Sequence, residues 1–181
     1  TNDAEIDAYV GSVAGSLAIG GVVGVAVGIG FSLAENFIGW NESGDAKAQV
    51  FAYVDGSSIE AMGDLSITAK NQAIIHSGVD AGAVAIGGGL VGGAASGAGT
   101  DSVNRIEVDV IALIADTFGY GFIAQDVLVQ ADDEAIIRAT TLAASLAASF
   151  GLFGGSVSIS VSLADNSIAD SSIALVDNAD I

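Results

Sequence analysis

The run Gly21-Val22-Val23-Gly24 recurs as Gly89-Leu90-Val91-Gly92 and as Gly151-Leu152-Phe153-Gly154, and this repetition decides the fold. Two other motifs recur with it, one starting at Ala4, Ala73 and Ala135, the other at Asn36, Asn104 and Asn166. From the second copy to the third, every offset is 62 residues. A fixed long period indicates stacked units of similar structure, each burying its face on the next.

The repeat divides the chain into residues 1–70, residues 71–132 and an incomplete third copy, residues 133–181. The first copy is longer than the others by eight residues, and the extra residues lie around 40–46. This stretch is polar and contains the only tryptophan. It is predicted to be a loop inserted into a repeat scaffold.

Large and small side chains alternate from Val25 to Leu33, and again from Val157 to Leu163. An alternation of period two is that of a β-strand. Residues 17–33 are apolar enough to be tested as a transmembrane helix, but the alternation argues against one. We therefore expect no membrane span in this chain.

The fold is predicted to be all-β, with repeats of about 62 residues stacked as a β-solenoid or a layered sheet fibre. The alternative is a β-sandwich with Ala-rich helical segments, because residues 140–149 have helix-forming composition. The equivalent residues 11–19 and 78–86 are rich in Gly and Val, so we expect a strand in all three copies. The chain has no proline, which fits a backbone that is paired in nearly every segment.

The two faces of the alternating strands are expected to have different roles. The small residues would allow a neighbouring layer to approach closely, and the large aliphatic residues on the other face would fill a core.

Composition excludes several kinds of partner. The chain has 22 acidic and four basic residues, with a formal net charge of −18. Nucleic acid and anionic membrane surfaces both require basic side chains, so neither is an expected partner. There is no cysteine, and therefore no disulfide framework.

No catalytic or metal-binding set is expected. His76 is the only histidine and lies at a position equivalent to Asp7 and Arg138, which indicates a solvent-facing polar slot. The carboxylates at residues 107–109 and 132–134 vary between copies and indicate no cleft. The glycine runs lack the residues of a calcium β-roll or a phosphate loop. Weak, incidental calcium binding at acidic turns is the only cofactor expectation.

Two groups of residues are candidates for a site. Asn36, Asn104 and Asn166 keep one register in all three copies, as in a structural asparagine ladder, or else they are ordinary turn residues. The insertion, with Trp40, Asn41, Glu42 and Asp45, is the candidate binding loop.

The combination of motifs resembles a known class of repeat. Its elements are Leu65-Ser66-Ile67-Thr68-Ala69, then Asn71-Gln72-Ala73-Ile74-Ile75, an Ala/Gly run, the double-glycine turn and a strand closing in Asn. This resembles repeats of large bacterial exoproteins of the leukotoxin and filamentous-haemagglutinin-like adhesin kind. The resemblance implies secretion, a long β-solenoid and a location outside the cell or at its surface. It implies no toxin activity here, because no matching active residues are found.

The functional expectation is a structural segment of an extracellular fibre, sheath or giant adhesin, with no enzymatic activity. Its partner would be further copies of itself, head to tail or side by side, because Thr1-Asn2 aligns with Lys70-Asn71 and the pattern runs to both ends. The alternative is a cell-surface module that recognises a glycan or receptor through the Trp40 loop.

Overall fold

The computed structural model describes residues 1–40, 47–118 and 122–180, and their regular structure consists of β-strands. No helix long and apolar enough to cross a membrane occurs in these ranges. The chain winds through three coils. Coil 1 contains β1 (Glu5–Ile19), β2 (Val23–Ile38), β3 (Ala48–Asp55), β4 (Ile59–Glu60) and β5 (Leu65–Asn71). Coil 2 contains β6 (Ile74–Gly88), β7 (Val91–Ile106), β8 (Val108–Ala115), β9 (Phe122–Ile123) and β10 (Val127–Asp133). Coil 3 contains β11 (Ile136–Phe150), β12 (Phe153–Ile168) and β13 (Ser171–Asp177).

Each coil lies on the one before it, so equivalent strands pair in parallel. The sheets are β1-β6-β11, β2-β7-β12, β3-β8-β13, β5-β10 and β4-β9. Residues with the same place in the repeat are direct partners, as in Val23, Val91 and Phe153. The prediction of an all-β fold built from stacked repeats is confirmed. Strand β11 covers the Ala-rich residues 140–149, so the helical alternative is wrong.

The inserted residues lie where the sequence places them. Nine residues, 39–47, connect β2 to β3 in coil 1, whereas Glu107 alone connects β7 to β8 in coil 2. The registers on both sides of the insertion stay matched, Ile38 with Ile106 and Ala48 with Val108. The extra residues therefore fall between β2 and β3 along the chain without shifting the register of either strand.

The coils have two parts, which we call the body and the blade. The body holds the conventional core, where aliphatic side chains from β5, β7 and β8 and from the start of β6 pack together, among them Ile67, Ile75, Ile106, Val108, Val110 and Ile114. The blade consists of the two long sheets, β1-β6-β11 and β2-β7-β12, which pack face to face.

Outward from Val79, which is fully buried, the interior of the blade contains only small side chains. Its buried residues include Ala26, Ala81, Ala83, Ala85 and Ala98. Hydroxyl groups bond across it, for example Ser32 with Ser12 at 2.8 Å and Ser77 with Ser102 at 2.9 Å. The backbones approach so closely that a Cβ on Gly30 would lie 2.3 Å from the carbonyl oxygen of Gly82.

The large side chains of the blade strands point outwards, which corrects the expectation that they fill a core. Ile29 is 73% exposed and Ile159 is 62% exposed. The expected close approach of a neighbouring layer does occur, but the layer belongs to the same coils. Outward from the buried Val79, the two sheets are too close for a Val, Ile or Phe between them, so the alternation places these residues on the outer faces.

Glycine substitutions test the close approach of the two sheets. Gly30→Ala adds a methyl group against the backbone of Gly82, and we expect it to lower the free energy of unfolding by about 1–3 kcal/mol. Gly15 is the control, because a Cβ there has no atom within 4 Å. Gly15→Ala should leave stability unchanged or raise it by about 0.5 kcal/mol. Urea denaturation measures both, and equal effects would contradict the packing described.

Candidate functional site

Asn36, Asn104 and Asn166 form a hydrogen-bonded column where the blade meets the body. The Asn36 amide donates to Asn104 Oδ1 at 2.8 Å, and the Asn104 amide donates to Asn166 Oδ1 at 2.8 Å. Asn104 is completely buried, and its amide also donates to Ser102 Oγ at 3.0 Å. All three residues lie inside strands, two residues before the ends of β2, β7 and β12. The column therefore ties the coils together within the sheet and not at a turn.

A second column was not foreseen from the sequence. The amide of Asn2 donates to Asn71 Oδ1 at 2.8 Å, and the amide of Asn71 donates to Asp133 Oδ1 at 2.6 Å. The signal was present, since an Asn or Asp stands two residues before each of Ala4, Ala73 and Ala135. It was missed because the third member is an aspartate.

Both columns have the same polarity, with each amide donating towards the next coil. Continuing that direction, the Asn166 amide can donate beyond coil 3, whereas the Asp133 side chain has no amide to donate. At the other end, Asn36 and Asn2 can each offer an Oδ1 acceptor. The two ends of the stack are therefore chemically complementary in one column and mismatched in the other.

The inner face of β12 is uncovered. Strand β2 packs against β1 and β6, and β7 packs against β6 and β11, because the two sheets of the blade are staggered by half a coil. Strand β12 packs mainly against β11. Its inward residues are exposed, although equivalent residues such as Ser32, Ala34 and Ser102 are buried. This end of the blade thus exposes small residues of a kind that the other coils keep inside.

Asp170 places a carboxyl group at the same end of the stack. It occupies the position of Ala48 and Val108 in the other coils, and its Oδ1 accepts the Val108 N–H at 2.7 Å. The pKa of Asp170 is raised to about 6, chiefly by burial and also by the neighbouring carboxyl of Asp133, against lowering contributions from the Val108 hydrogen bond and Lys47. Above this pKa, ionised Asp170 places a negative charge beside Asp133.

His76 lies between Asp7 and Arg138 on the outer face of the β1-β6-β11 sheet. Its Nδ1 is 3.0 Å from Asp7, and its Nε2 is 3.0 Å from the Arg138 guanidinium. Arginine can only donate, so Nε2 accepts and Nδ1 carries the proton that is donated to Asp7. Glu5, Asp7 and His76 are close enough to hold a metal ion, but a cation would have to displace the positive charge of Arg138. We interpret the group as a structural polar column.

The remaining sequence candidates are dispersed. The indole of Trp40 lies 4.5 Å from the Phe37 ring and 5.2 Å from the Arg105 guanidinium carbon. Asn41, Glu42 and Asp45 lie outside the described residues. The other singled-out carboxylates are engaged separately, Glu134 near Lys70 at 3.4 Å, Asp132 with Gln130 at 2.9 Å and Asp109 near Lys47 at 3.6 Å.

Comparisons of the chain with protein-family models, with curated proteins and with solved structures gave no match. The repeat architecture is therefore shown by the strand pairing of the structure itself. The features that bear on function are the two ends and the faces of the stack.

Removing the central asparagine tests the first column. Asn104→Ala leaves the amide of Asn36 and the oxygen of Asn166 without this partner, and we expect a loss of about 2–3 kcal/mol in unfolding free energy. Asn166→Ala, at the exposed end, removes one bond and should cost about 0.5–1 kcal/mol. Denaturant titration compares them, and equal losses would mean that the column is not cooperative.

Protonation of Asp170 should stabilise the fold. Its pKa is raised from 3.8 to about 6, so its contribution is fully present below pH 3.8 and is lost as the pH rises through about 6. Asp170→Asn keeps an acceptor for Val108 and removes the charge. Because the group is partly exposed, we expect a gain of only about 1 kcal/mol at pH 7.

Urea denaturation of the Asp170→Asn variant between pH 4 and pH 7 should show a shallower pH dependence than the parent chain. Asp177→Asn, at the exposed end of β13, is the matched control for the loss of one negative charge. If both variants changed stability equally, general charge reduction would explain the effect and the local interpretation would be wrong.

Proposed function

We propose that this chain is a structural segment of an extracellular fibre, sheath or giant adhesin, in which copies stack end to end and no reaction is catalysed. The observation that carries the proposal is the complementarity of the two ends of the strand stack. One end offers the uncovered β12 and the Asn166 amide, and the other offers β1 to β3 and Asn36. Coil 1 of a second copy could therefore continue coil 3 of the first.

The strand edges support stacking in this direction. Equivalent strands pair residue by residue across all three coils, so a fourth coil of the same register would meet an edge of matching shape. Open edges present unpaired backbone groups, which favour the addition of another chain. A second copy's β1 would also cover the inner face of β12, as β6 covers β2. Three of the five sheets contain a strand from every coil, so a second copy would continue them without a gap. The other two sheets, β5-β10 and β4-β9, contain no strand from coil 3 and would be interrupted at the junction.

The second column would oppose stacking at neutral pH. A second copy would bring the Asn2 oxygen against Asp133, which as a carboxylate can only accept. Asp170 lies beside it with a raised pKa. Protonation of Asp170 removes a negative charge beside the junction, so assembly is favoured by mild acidity.

The extracellular location and the adhesin-like role are supported by the sequence of the repeat, by its resemblance to large bacterial exoproteins and by its acidity. The alternative, glycan recognition through the insertion, is less well supported. The indole of Trp40 already contacts Phe37 and Arg105, so less of its surface is available for a sugar.

Blocking one end tests the proposal. Ala164 is exposed on the inner face of β12, whereas its equivalents Ala34 and Ser102 are buried. Ala164→Lys should be tolerated by a single chain but should prevent stacking, because a second copy would bury the charge. Ser167→Lys is the control, since Arg105 occupies the same outward position in coil 2.

Electron microscopy and sedimentation should show unbranched fibres with an axial rise of about 14 Å per copy for the parent chain and the Ser167→Lys variant. Ala164→Lys should form no fibres. Asp133→Asn supplies an amide donor and should lower the concentration needed for assembly, most clearly at pH 7. Monodisperse particles of one 17.7 kDa chain under all conditions, or recovery from the cytosol, would contradict the proposal.

A further inference from the structure

The charges of this chain are separated from the outer part of the blade. No charged residue occurs in residues 8–34, 81–100 or 139–164. These ranges make up most of β1, β2, β6, β7, β11 and β12. Among the described residues, the acidic and basic side chains lie in the body or on the part of the blade nearer to it, as far out as Asp80 and Asp101. The blade is therefore an uncharged projection on a strongly acidic body.

The outer face of the β2-β7-β12 sheet is the longest continuous apolar surface of the blade. Coil 1 contributes exposed residues such as Val27 and Ile29, and coil 3 contributes Val157 and Ile159. Between them, coil 2 contributes Ala95 and Gly97. The face thus has two aliphatic ridges along the strands and a furrow floored by small residues.

The opposite outer face differs in polarity. There Asp80, on the central strand β6, accepts a hydrogen bond from the Tyr9 hydroxyl at 2.5 Å. Asp7, His76 and Arg138 lie on the same face, four residues nearer the start of the strands. On the β2-β7-β12 face the first charge along the strands is Asp101, beside Leu33. The two faces of the blade are therefore not equivalent.

We infer that the outer face of the β2-β7-β12 sheet is an interface on which a second copy of this chain packs face to face, with its strands antiparallel to those of the first. This lateral contact is distinct from end-to-end stacking and uses other residues. In a fibre of the kind proposed above, it would join neighbouring stacks.

The shape of the face fits another copy of itself. The ridges are two strand spacings apart, about 10 Å, so a copy shifted by one coil places its ridge in the furrow. The furrow is open in the middle, since a Cβ on Gly97 would have only the backbone oxygen of Ile159 within 4 Å. Towards the body the Phe31 ring covers Gly99 and closes it. Because an antiparallel two-fold pair would place each coil opposite the same coil, the shifted contact is heterologous and can continue along a stack.

The area is that of a weak pair, and it grows in an assembly. Eleven residues from Val23 to Leu33 span about 35 Å, and the two strands per copy that overlap after a shift by one coil span about 10 Å, which gives about 350 Å² on each copy. A pair would bury about 700 Å², less than the roughly 1,000 Å² of a specific interface, so a single pair is weak. Stacked copies repeat the contact, so the strength would rise steeply with the number of copies.

The charge distribution selects the antiparallel orientation. In a parallel pair, Glu35, Asp101 and Asp165 of the two copies would face one another. In an antiparallel pair, these groups lie at opposite ends of a contact about 35 Å long, far beyond the screening length of about 8 Å in physiological salt. The open strand edges of the blade argue against lipid as the occupant, because lipid cannot satisfy unpaired backbone groups.

Lysine substitutions on the face test the interface. We use the Ala164→Lys background, in which end-to-end stacking is blocked, so that failure of the lateral contact and failure of the proposed function are distinguishable. Sedimentation should show a concentration-dependent dimer. Ile29→Lys with Ile159→Lys should weaken it by about tenfold or more, although both changes reduce the repulsive net charge. Leu142→Lys with Leu146→Lys, similarly exposed on the opposite face, should leave it unchanged.

A spin label tests the orientation. Leu90 is exposed in the turn between β6 and β7. Because the chain has no cysteine of its own, Leu90→Cys creates a single site for the label. An antiparallel pair places the two labels about 35 Å apart or further, whereas a parallel pair places them side by side. A short distance would overturn the orientation.

Three results would overturn the interface itself. The first is a monomer at concentrations of several hundred micromolar, and the second is equal weakening by the two pairs of lysines. The third is a monomer that floats with phosphatidylcholine vesicles and loses this behaviour with Ile29→Lys and Ile159→Lys, which would assign the face to lipid. A dimer that loses affinity only with the β2-β7-β12 substitutions supports the proposal.

Discussion

The close approach of the two long sheets is the constraint on which the rest of this structure depends. Each coil contributes one strand to either side, and the sheets are staggered so that β7 covers both β6 and β11. Outward from the buried Val79, only Gly, Ala, Ser and Thr lie between them, and serine hydroxyls bond across the gap. Because these side chains bury little apolar area, the blade gains its stability largely from paired backbone and from dense packing across coils.

The sequence was sufficient for the architecture because the repeat motifs keep their spacing. Equal offsets at Gly89 and Asn104 already require parallel strands in register, and the shorter offset after the insertion places eight extra residues between β2 and β3 in the chain. The Ala-rich residues 140–149 show the limit of local propensity. Alone they favour a helix, but pairing with β6 along their whole length determines the strand.

The orientation of the faces could not be read in the same way. Alternation tells which residues share a face, and the usual rule then places Ile29 and Val157 inside. The rule fails here because the distance between the sheets, and not hydrophobicity, selects the inner residues. Asp170 was missed for a related reason. Its neighbour Asp133 is 37 positions away in the chain, and only the winding of the coils brings the two carboxyls together.

The polarity of the asparagine columns and the apolar face of the blade act in perpendicular directions. The columns run along the stack, and an amide at one end with an oxygen at the other gives the stack a direction. The aliphatic ridges run along the strands and point away from the stack. Since different residues form the two surfaces, growth in length and association in width could be controlled separately in the assembly proposed above. There the acidic body would keep neighbouring stacks apart except where the uncharged blades meet, so its charge would restrict where lateral contact occurs.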